Sequence, residues 1–290
     1  MVRISLISFN FVRIIQESVK NRIFILLISC LAATVNMNAQ MYWLHKYDLA
    51  KSIAGSSGRM LMVDFWASWC GPCKIMDQEL WQSPEMQQFA GSMVGLRVNV
   101  DIEKTLTNRY AVKSIPRVII MTANGDIVWD QAGYDHADGF IRIFKEIPGN
   151  VSELNNHLKL VAADKNNLSA NYSAGLEFQR LGKNIKDNEL KNAFLNNSEN
   201  YFRKAVKLSN DSLLLEEIRL NSIMNDVHGG RFEKALKTVR ELDSVPYSEN
   251  LAEFKHFILA RCYKGINDQE NYEKTKQLIS KKELLDQLDH

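Results

Sequence analysis

From residue 42 onward, the apolar positions Leu44, Tyr47 and Ile53 fall on one helical face, and the cluster Gly55-Ser56-Ser57-Gly58 predicts the end of that helix. Residues 60–65 form a short apolar run, the pattern of a central strand covered on both faces, and Asp64 is the misfit within it. A helical stretch leads to Leu80, and Ser83-Pro84 with Glu85 and Met86 predicts another helix start. Residues 96–100, 104–110 and 118–121 follow as strand, helix and strand. Asn124-Gly125, placed before the apolar residues 127–129, is the strongest hairpin signal in the chain and predicts an antiparallel pair. Phe140, Ile143, Phe144 and Ile147 then recur at helical spacing until Pro148-Gly149. This order predicts an α/β domain whose mixed central sheet is flanked by helices.

Beyond Asn150 strand-like alternation becomes scarce and helical patterns dominate to His290, so a boundary is predicted near Pro148. Phe202-Arg203-Lys204-Ala205, Phe232-Glu233-Lys234-Ala235 and Tyr272-Glu273-Lys274-Thr275 echo one another at steps of 30 and 40 residues, which predicts stacked helical hairpins. The middle copy, with Gly230-Arg231 before it and Pro246 after it, resembles the second helix of a tetratricopeptide repeat. A plain helical bundle is the alternative. The predicted organisation is a targeting segment at 1–40, an α/β domain at 41–148 and an all-α, repeat-like domain at 149–290.

The N-terminus carries Lys20 and Arg22 before an apolar run at residues 23–35, with small and polar residues near Ala39. That run is shorter than the ~20 residues a membrane-spanning helix needs, so a signal peptide cut near Ala39 is expected, and with it export to a periplasm. Leu27-Ile28-Ser29-Cys30 resembles a lipoprotein processing box, which makes lipid anchoring through Cys30 the second reading. Composition is that of a globular protein, 46% hydrophobic and 24% charged, and the net charge of +2 without a dense basic block argues against a nucleic-acid partner.

Cleavage near Ala39 leaves Cys70, Cys73 and Cys262, too few for a multi-bridge framework. A four-thiolate metal site would need a second Cys-x-x-Cys pair, and the six histidines form no ligand spacing, so no metal is expected. Trp69-Cys70-Gly71-Pro72-Cys73 follows the predicted buried strand and opens a helix. At a helix start the free N–H groups and the dipole favour a thiolate, which makes Cys70 the expected nucleophile. Cys73, one turn inward, is expected to be less exposed and to resolve a mixed disulfide on Cys70. A static structural disulfide is the bland alternative. Cys262, in an apolar helical stretch, is expected to be a buried, unreactive thiol.

The stretch Val63-Asp64-Phe65-Trp66-Ala67-Ser68-Trp69-Cys70-Gly71-Pro72-Cys73-Lys74 resembles the active-site segment of the thioredoxin family. Ile115-Pro116 resembles that family's cis-proline loop, and Asn124-Gly125 with Gly133 its closing hairpin. The resemblance covers residues 42–147 and implies a thioredoxin-like fold for the first domain. It also implies a proton-transfer role for Asp64, although a buried acid satisfied by hydrogen bonds alone is the alternative. Substrate contacts are implied for Trp69, Gly71, Pro72, Ile115, Pro116 and Arg117. Glu79-Leu80-Trp81 with Ser83-Pro84-Glu85-Met86 looks closer to reductase-type domains of bacterial envelopes. Two departures stand out. Arg97 occupies a place where many members carry a lysine, and because arginine does not readily give up its proton, a lysine-like tuning of Asp64 is in doubt. Arg117 stands where threonine is common, and would bias the groove towards acidic substrates.

The expected function is therefore that of an exported protein thiol-disulfide oxidoreductase, reducing or isomerising disulfides of envelope proteins. No organic cofactor is implied, because electrons pass through the cysteines themselves. Protein disulfides are the expected substrates, a membrane-embedded dithiol protein the expected source of electrons, and a further protein the expected partner of the helical domain. The rival is a binding scaffold or chaperone-like module in which that helical domain is the working part.

Overall fold

The computed structural model describes residues 41–242 and 249–289. The expectations for residues 1–40, Cys30 among them, and for Pro246 fall outside these residues.

Five strands form one sheet: β1 (Trp43–Leu44), β2 (Met60–Trp66), β3 (Met93–Asn99), β4 (Arg117–Met121) and β5 (Ile127–Ala132). Their spatial order is β1-β3-β2-β4-β5, with β1, β3 and β2 parallel and with β4 and β5 antiparallel to their neighbours. The expected start of a helix at residue 42 is thus corrected to an edge strand. Trp43 and Leu44 pair with Gly95 and Leu96, a long-range contact that local periodicity does not encode. Gly95 permits it, since a Cβ there would come within 3.0 Å of the Trp43 ring.

Helix α1 (Tyr47–Ser57) runs through Gly55 and stops at Gly58, whose φ of 64° is the left-handed conformation that closes helices most cheaply in glycine. Then come α2 (Gly71–Met76), a single wide π-helical turn over Asp77–Trp81, α3 (Pro84–Gln87), α4 (Lys104–Arg109) and α5 (Ala137–Phe144). Ser83 caps α3 by accepting the N–H of Met86 at 3.2 Å. α5 ends one turn before the expected Pro148-Gly149 stop, and Ile147 remains buried in the following turns.

Strand alternation sorts the side chains of β2 into two cores. Met60 and Met62 face one, together with Val118, Ile120, Trp129 and Phe144, while Leu61, Val63 and Phe65 face the other with both cysteines. The first core does not stop at Pro148. It continues into Val151, into Leu154 and Leu158 of the helix that follows it, and on to Phe178, Phe194 and Tyr201. Polar contacts reinforce the seam: the Val151 N–H donates to Gly58 O at 2.8 Å, Asn155 Nδ2 to Ala54 O at 3.0 Å, and the Tyr201 hydroxyl to Asp126 at 3.0 Å.

The helical half comprises α6 (Ser152–Ala163), α7 (Leu168–Gly182), α8 (Asn188–Leu208), α9 (Ser212–His228), α10 (Phe232–Glu241), α11 (Glu249–Gly265), α12 (Gln269–Lys276) and α13 (Lys282–Asp289). Helices α7 and α8, α9 and α10, and α11 and α12 pack as successive pairs. The three echoing segments all fall in the second helix of a pair. Phe202 packs against Gly175 and Phe232 against Gly265, each so closely that a Cβ on the glycine would collide with the ring.

The dithiol site and its supporting residues

Strand β2 delivers the chain through Ala67, Ser68 and Trp69 to the start of α2. Cys70 is its N-cap, with extended backbone (φ −74°, ψ 106°), and Pro72 occupies the first turn. Cys70 and Cys73 are joined by a disulfide, with their Cα atoms 5.3 Å apart. The N–H of Cys73 points at Cys70 Sγ at 3.1 Å, so the same sulfur that would carry thiolate charge accepts a helix-end donor. Cys70 is 3% and Cys73 1% exposed, so the expected difference in exposure is small in the disulfide form.

Gly71 and Pro72 lie exposed on the rim of the site. Trp69 is 66% exposed, and its ring N–H is held by Asp101 Oδ2 at 2.8 Å. Opposed to packing alone, that exposure leaves most of the ring available for contact. The Ile115-Pro116 bond is cis, and Pro116 O accepts the N–H of Gly133 at 2.8 Å, which ties the proline loop to the end of β5. Ile115 packs on the same core cluster as Cys70 and Cys73.

Arg117 is engaged within the fold. Its Nε donates to Asp130 Oδ1 at 2.7 Å, its Nη2 to Asp130 Oδ2 at 2.5 Å and its Nη1 to Tyr110 O at 2.7 Å. A guanidinium held by a bidentate carboxylate has its charge compensated. It also braces β4 against β5 and the end of α4.

Asp64 is fully buried in β2, opposite Arg97 on β3 and Val118 on β4. Burial pushes its pKa up from 3.8 to about 7, the Arg97 charge opposes this and Asp77 adds to it. Arg97 Nε donates to Asp64 Oδ2 at 3.1 Å, and Nη2 lies 2.8 Å from Asp77 Oδ1. The guanidinium is also caged by aromatic rings, 4.5 Å from the Trp66 centroid and 5.5 Å from that of Trp43. Arg97 thus tunes Asp64 by charge while remaining unable to exchange a proton itself. The Trp81 indole N–H faces the Asp64 carboxyl and favours its ionised form, as does the hydrogen bond donated by Arg97.

Sequence reasoning missed Asp77, Asp101 and Asp130. Each is an ordinary surface acid by pattern, and only the register of β3 and β5 and the wide turn after α2 bring them to Arg97, Arg117 and Trp69. Cys262 is buried, with its thiol pushed up to about 12 by desolvation, which makes it unreactive at neutral pH as expected. No group of His, Cys, Asp and Glu among the described residues could hold a metal ion.

A buried dithiol at a helix start, beside a cis-proline loop and above a sheet with a protonatable buried acid, defines a protein that exchanges disulfides through its own cysteines. The thioredoxin family profile matches residues 41–146. Thioredoxin of Haemophilus influenzae is 36% identical over 84 residues, which is 29% of this chain and 75% of that protein. Thioredoxin-1 of Drosophila melanogaster is 32% identical over 77 residues, 27% of this chain and 70% of that protein. Among solved structures, a thioredoxin from Thermus thermophilus aligns at 23% identity with a TM-score of 0.34, covering 37% of this chain and 86% of that one. The chain belongs to the thioredoxin family, and its activity is that of a thiol-disulfide oxidoreductase.

Proposed function

We propose that this protein works outside the cytoplasm, in a bacterial periplasm, where it reduces or isomerises disulfides of envelope proteins. The observation that carries the reading is the Cys70–Cys73 pair set at the start of α2 on the core that also holds Ile115 of the cis-proline loop. The reduced Cys70 thiolate attacks one sulfur of a client disulfide. The S–S bond of the client breaks, its other sulfur leaves as a thiolate that takes up a proton, and a mixed disulfide forms. Cys73 loses its proton to Asp64, attacks Cys70 Sγ and expels the second client thiolate. The client gains two electrons and the protein ends in its disulfide form. A pKa near 7 suits Asp64 to both accepting and returning that proton at neutral pH.

Trp69, Gly71, Pro72 and Ile115 form the client-facing rim, and the backbone of the Pro116 loop pairs with the client chain. A membrane-embedded dithiol protein restores the reduced pair. The exposed Trp69 ring and the exposed Gly71-Pro72 turn support this reading. The paired helices α7–α12 are degenerate tetratricopeptide-like repeats that hold a protein partner, a reading supported by the echoed segments in α8, α10 and α12. Export and the choice of signal peptide over lipidation at Cys30 rest on the charge and hydropathy pattern of residues 1–40.

The test is trapping with Cys73→Ser in cells. Client proteins are expected as mixed disulfides on Cys70, released by reductant and confined to the envelope fraction. Absence of any trapped client, together with an intact cellular phenotype in a Cys70→Ser, Cys73→Ser double variant, would overturn the enzymatic role in favour of a scaffold. Clients confined to the cytosol would overturn the location.

A further inference from the structure

Away from the cysteines, the seam between the two halves holds a cavity of about 460 Å³. Helices α1 and α6 supply its walls, and the β4–β5 turn adds Ala123 and Asn124. The lining positions recur at helical spacing on both helices, Lys51, Ser52 and Ser56 on α1 and Asn155, Asn156 and Lys159 on α6, so each helix turns one face to the space. Gly55, Ala123 and Ala162 are the small residues that leave it open. The cavity lies at the end of the sheet opposite the redox centre: Met121, just before the turn, pairs with Leu61 near the start of β2, whereas Cys70 follows the end of that strand.

Two cations and no carboxylate line it, Lys51 from α1 and Lys159 from α6. Neither lysine forms an ion pair among the described residues. Lys51 Nζ stands 5.3 Å from the Tyr47 ring centroid, a contact that steadies the side chain without neutralising it. The hydrogen bonding is incomplete as well. Asn155 is 5% exposed, and its Nδ2 donates to Ala54 O at 3.0 Å while its Oδ1 has no partner. A buried acceptor without a donor costs stability, and a bound group that donates to it removes that cost. Ser52 and Asn156, both exposed, set further polar groups along the same walls.

We propose that this cavity is a binding site for a phosphate monoester of a small polyol. Such an ester carries about two negative charges at neutral pH, which matches the two uncompensated lysines. The polyol hydroxyls donate to Asn155 Oδ1 and exchange hydrogen bonds with Ser52 and Asn156. A monocarboxylate would neutralise one lysine and leave the other, and an apolar ligand would leave all of these groups unpaired. The volume falls in the range of cavities that enclose small molecules. The site stands apart from the cysteines, and its occupation does not depend on their chemistry.

The experiment is calorimetric titration of the full chain with glycerol 3-phosphate, with glucose 6-phosphate and with propyl phosphate, which keeps the anion and lacks the hydroxyls. A polyol ester is expected to bind one-to-one and to weaken as salt is raised, and propyl phosphate to bind about tenfold more weakly. Lys51→Gln and Lys159→Gln are each expected to weaken the polyol ester about tenfold. Both variants should keep the ligand-free melting temperature and insulin reduction of the unmodified chain, which separates loss of the site from loss of the fold or of the redox centre. Sedimentation with phosphatidylglycerol vesicles, lost in the same two variants, would identify a lipid headgroup as the source of the ester, and binding of the soluble esters alone a free one. Three results would each overturn the proposal. They are no saturable binding of a polyol ester in either form, propyl phosphate bound as tightly as the polyol esters, and affinities that neither lysine variant changes; the last two would reduce the site to adventitious anion binding.

Discussion

Replacing Asp64 by asparagine should stabilise the protein, and by more at alkaline than at acidic pH. A carboxyl whose pKa is 3.8 when exposed and about 7 when buried binds its proton more tightly in the folded state. Folding is then favoured below 3.8, loses stability as pH rises from there to about 7, and levels off beyond it. At about 1.4 kcal/mol per pH unit, the ionised carboxylate costs about 4 kcal/mol at pH 8, against about 2 kcal/mol at pH 5. Asparagine keeps the size and removes the charge, and Arg97 retains Asp77 as its counter-ion. The gain from Asp64→Asn should therefore grow by about 2–3 kcal/mol between pH 5 and pH 8, or about 5–10 °C in melting temperature for a chain of this size. Thermal unfolding of both proteins in the disulfide form, where neither sulfur titrates, measures this. A difference that stays constant across the range would show that Asp64 titrates near its ordinary value, and would remove the basis for its role as a proton acceptor at neutral pH.

Arg97→Met deletes the charge that opposes the burial of Asp64, so the Asp64 carboxyl should titrate above 7, read by carbon-13 chemical shift; an unchanged or lower value would refute the pairing. Arg117→Thr removes the bonds to Asp130 and Tyr110 O and should cost about 1–3 kcal/mol in urea unfolding, while acidic and basic disulfide peptides should be reduced in an unaltered ratio. A chain cut after Pro148 exposes the core face that Val151, Leu154, Leu158, Phe178 and Tyr201 cover. It should melt well below the intact protein or aggregate, whereas an equal melting temperature would show that the two halves fold independently.

Much of the first half is legible in the chain because its signals are local. The Asn124-Gly125 turn, the buried run of β2, the capping Ser83 and the helix-starting Cys-Gly-Pro-Cys each act over a few residues, and the structure places all of them as expected. Trp43 and Leu44 were misread because their partners lie some fifty residues away, and a two-residue strand has no period of its own. The cluster Gly55-Ser56-Ser57-Gly58 ends the helix as expected, with Gly58 supplying the left-handed turn and Gly55 staying within the helix. The change of composition at Pro148 is real, yet the core runs across it, since burial follows space rather than sequence.

The same division holds at the site. The residue types and spacing of Cys70 and Cys73 alone determine that this chain can exchange disulfides, because a sulfur pair one helical turn apart at a helix start is both reactive and able to close on itself. Asp64 could be singled out as a charge in an apolar strand. Its environment was decided by tertiary structure, which set Arg97 beside it in register, brought Asp77 in on a wide helical turn and closed tryptophan rings over the guanidinium. Tertiary structure likewise engaged Arg117 in a brace by placing Asp130 within reach. Electrostatics depends on distance and dielectric, and both are properties of the folded arrangement rather than of the order of residues along the chain.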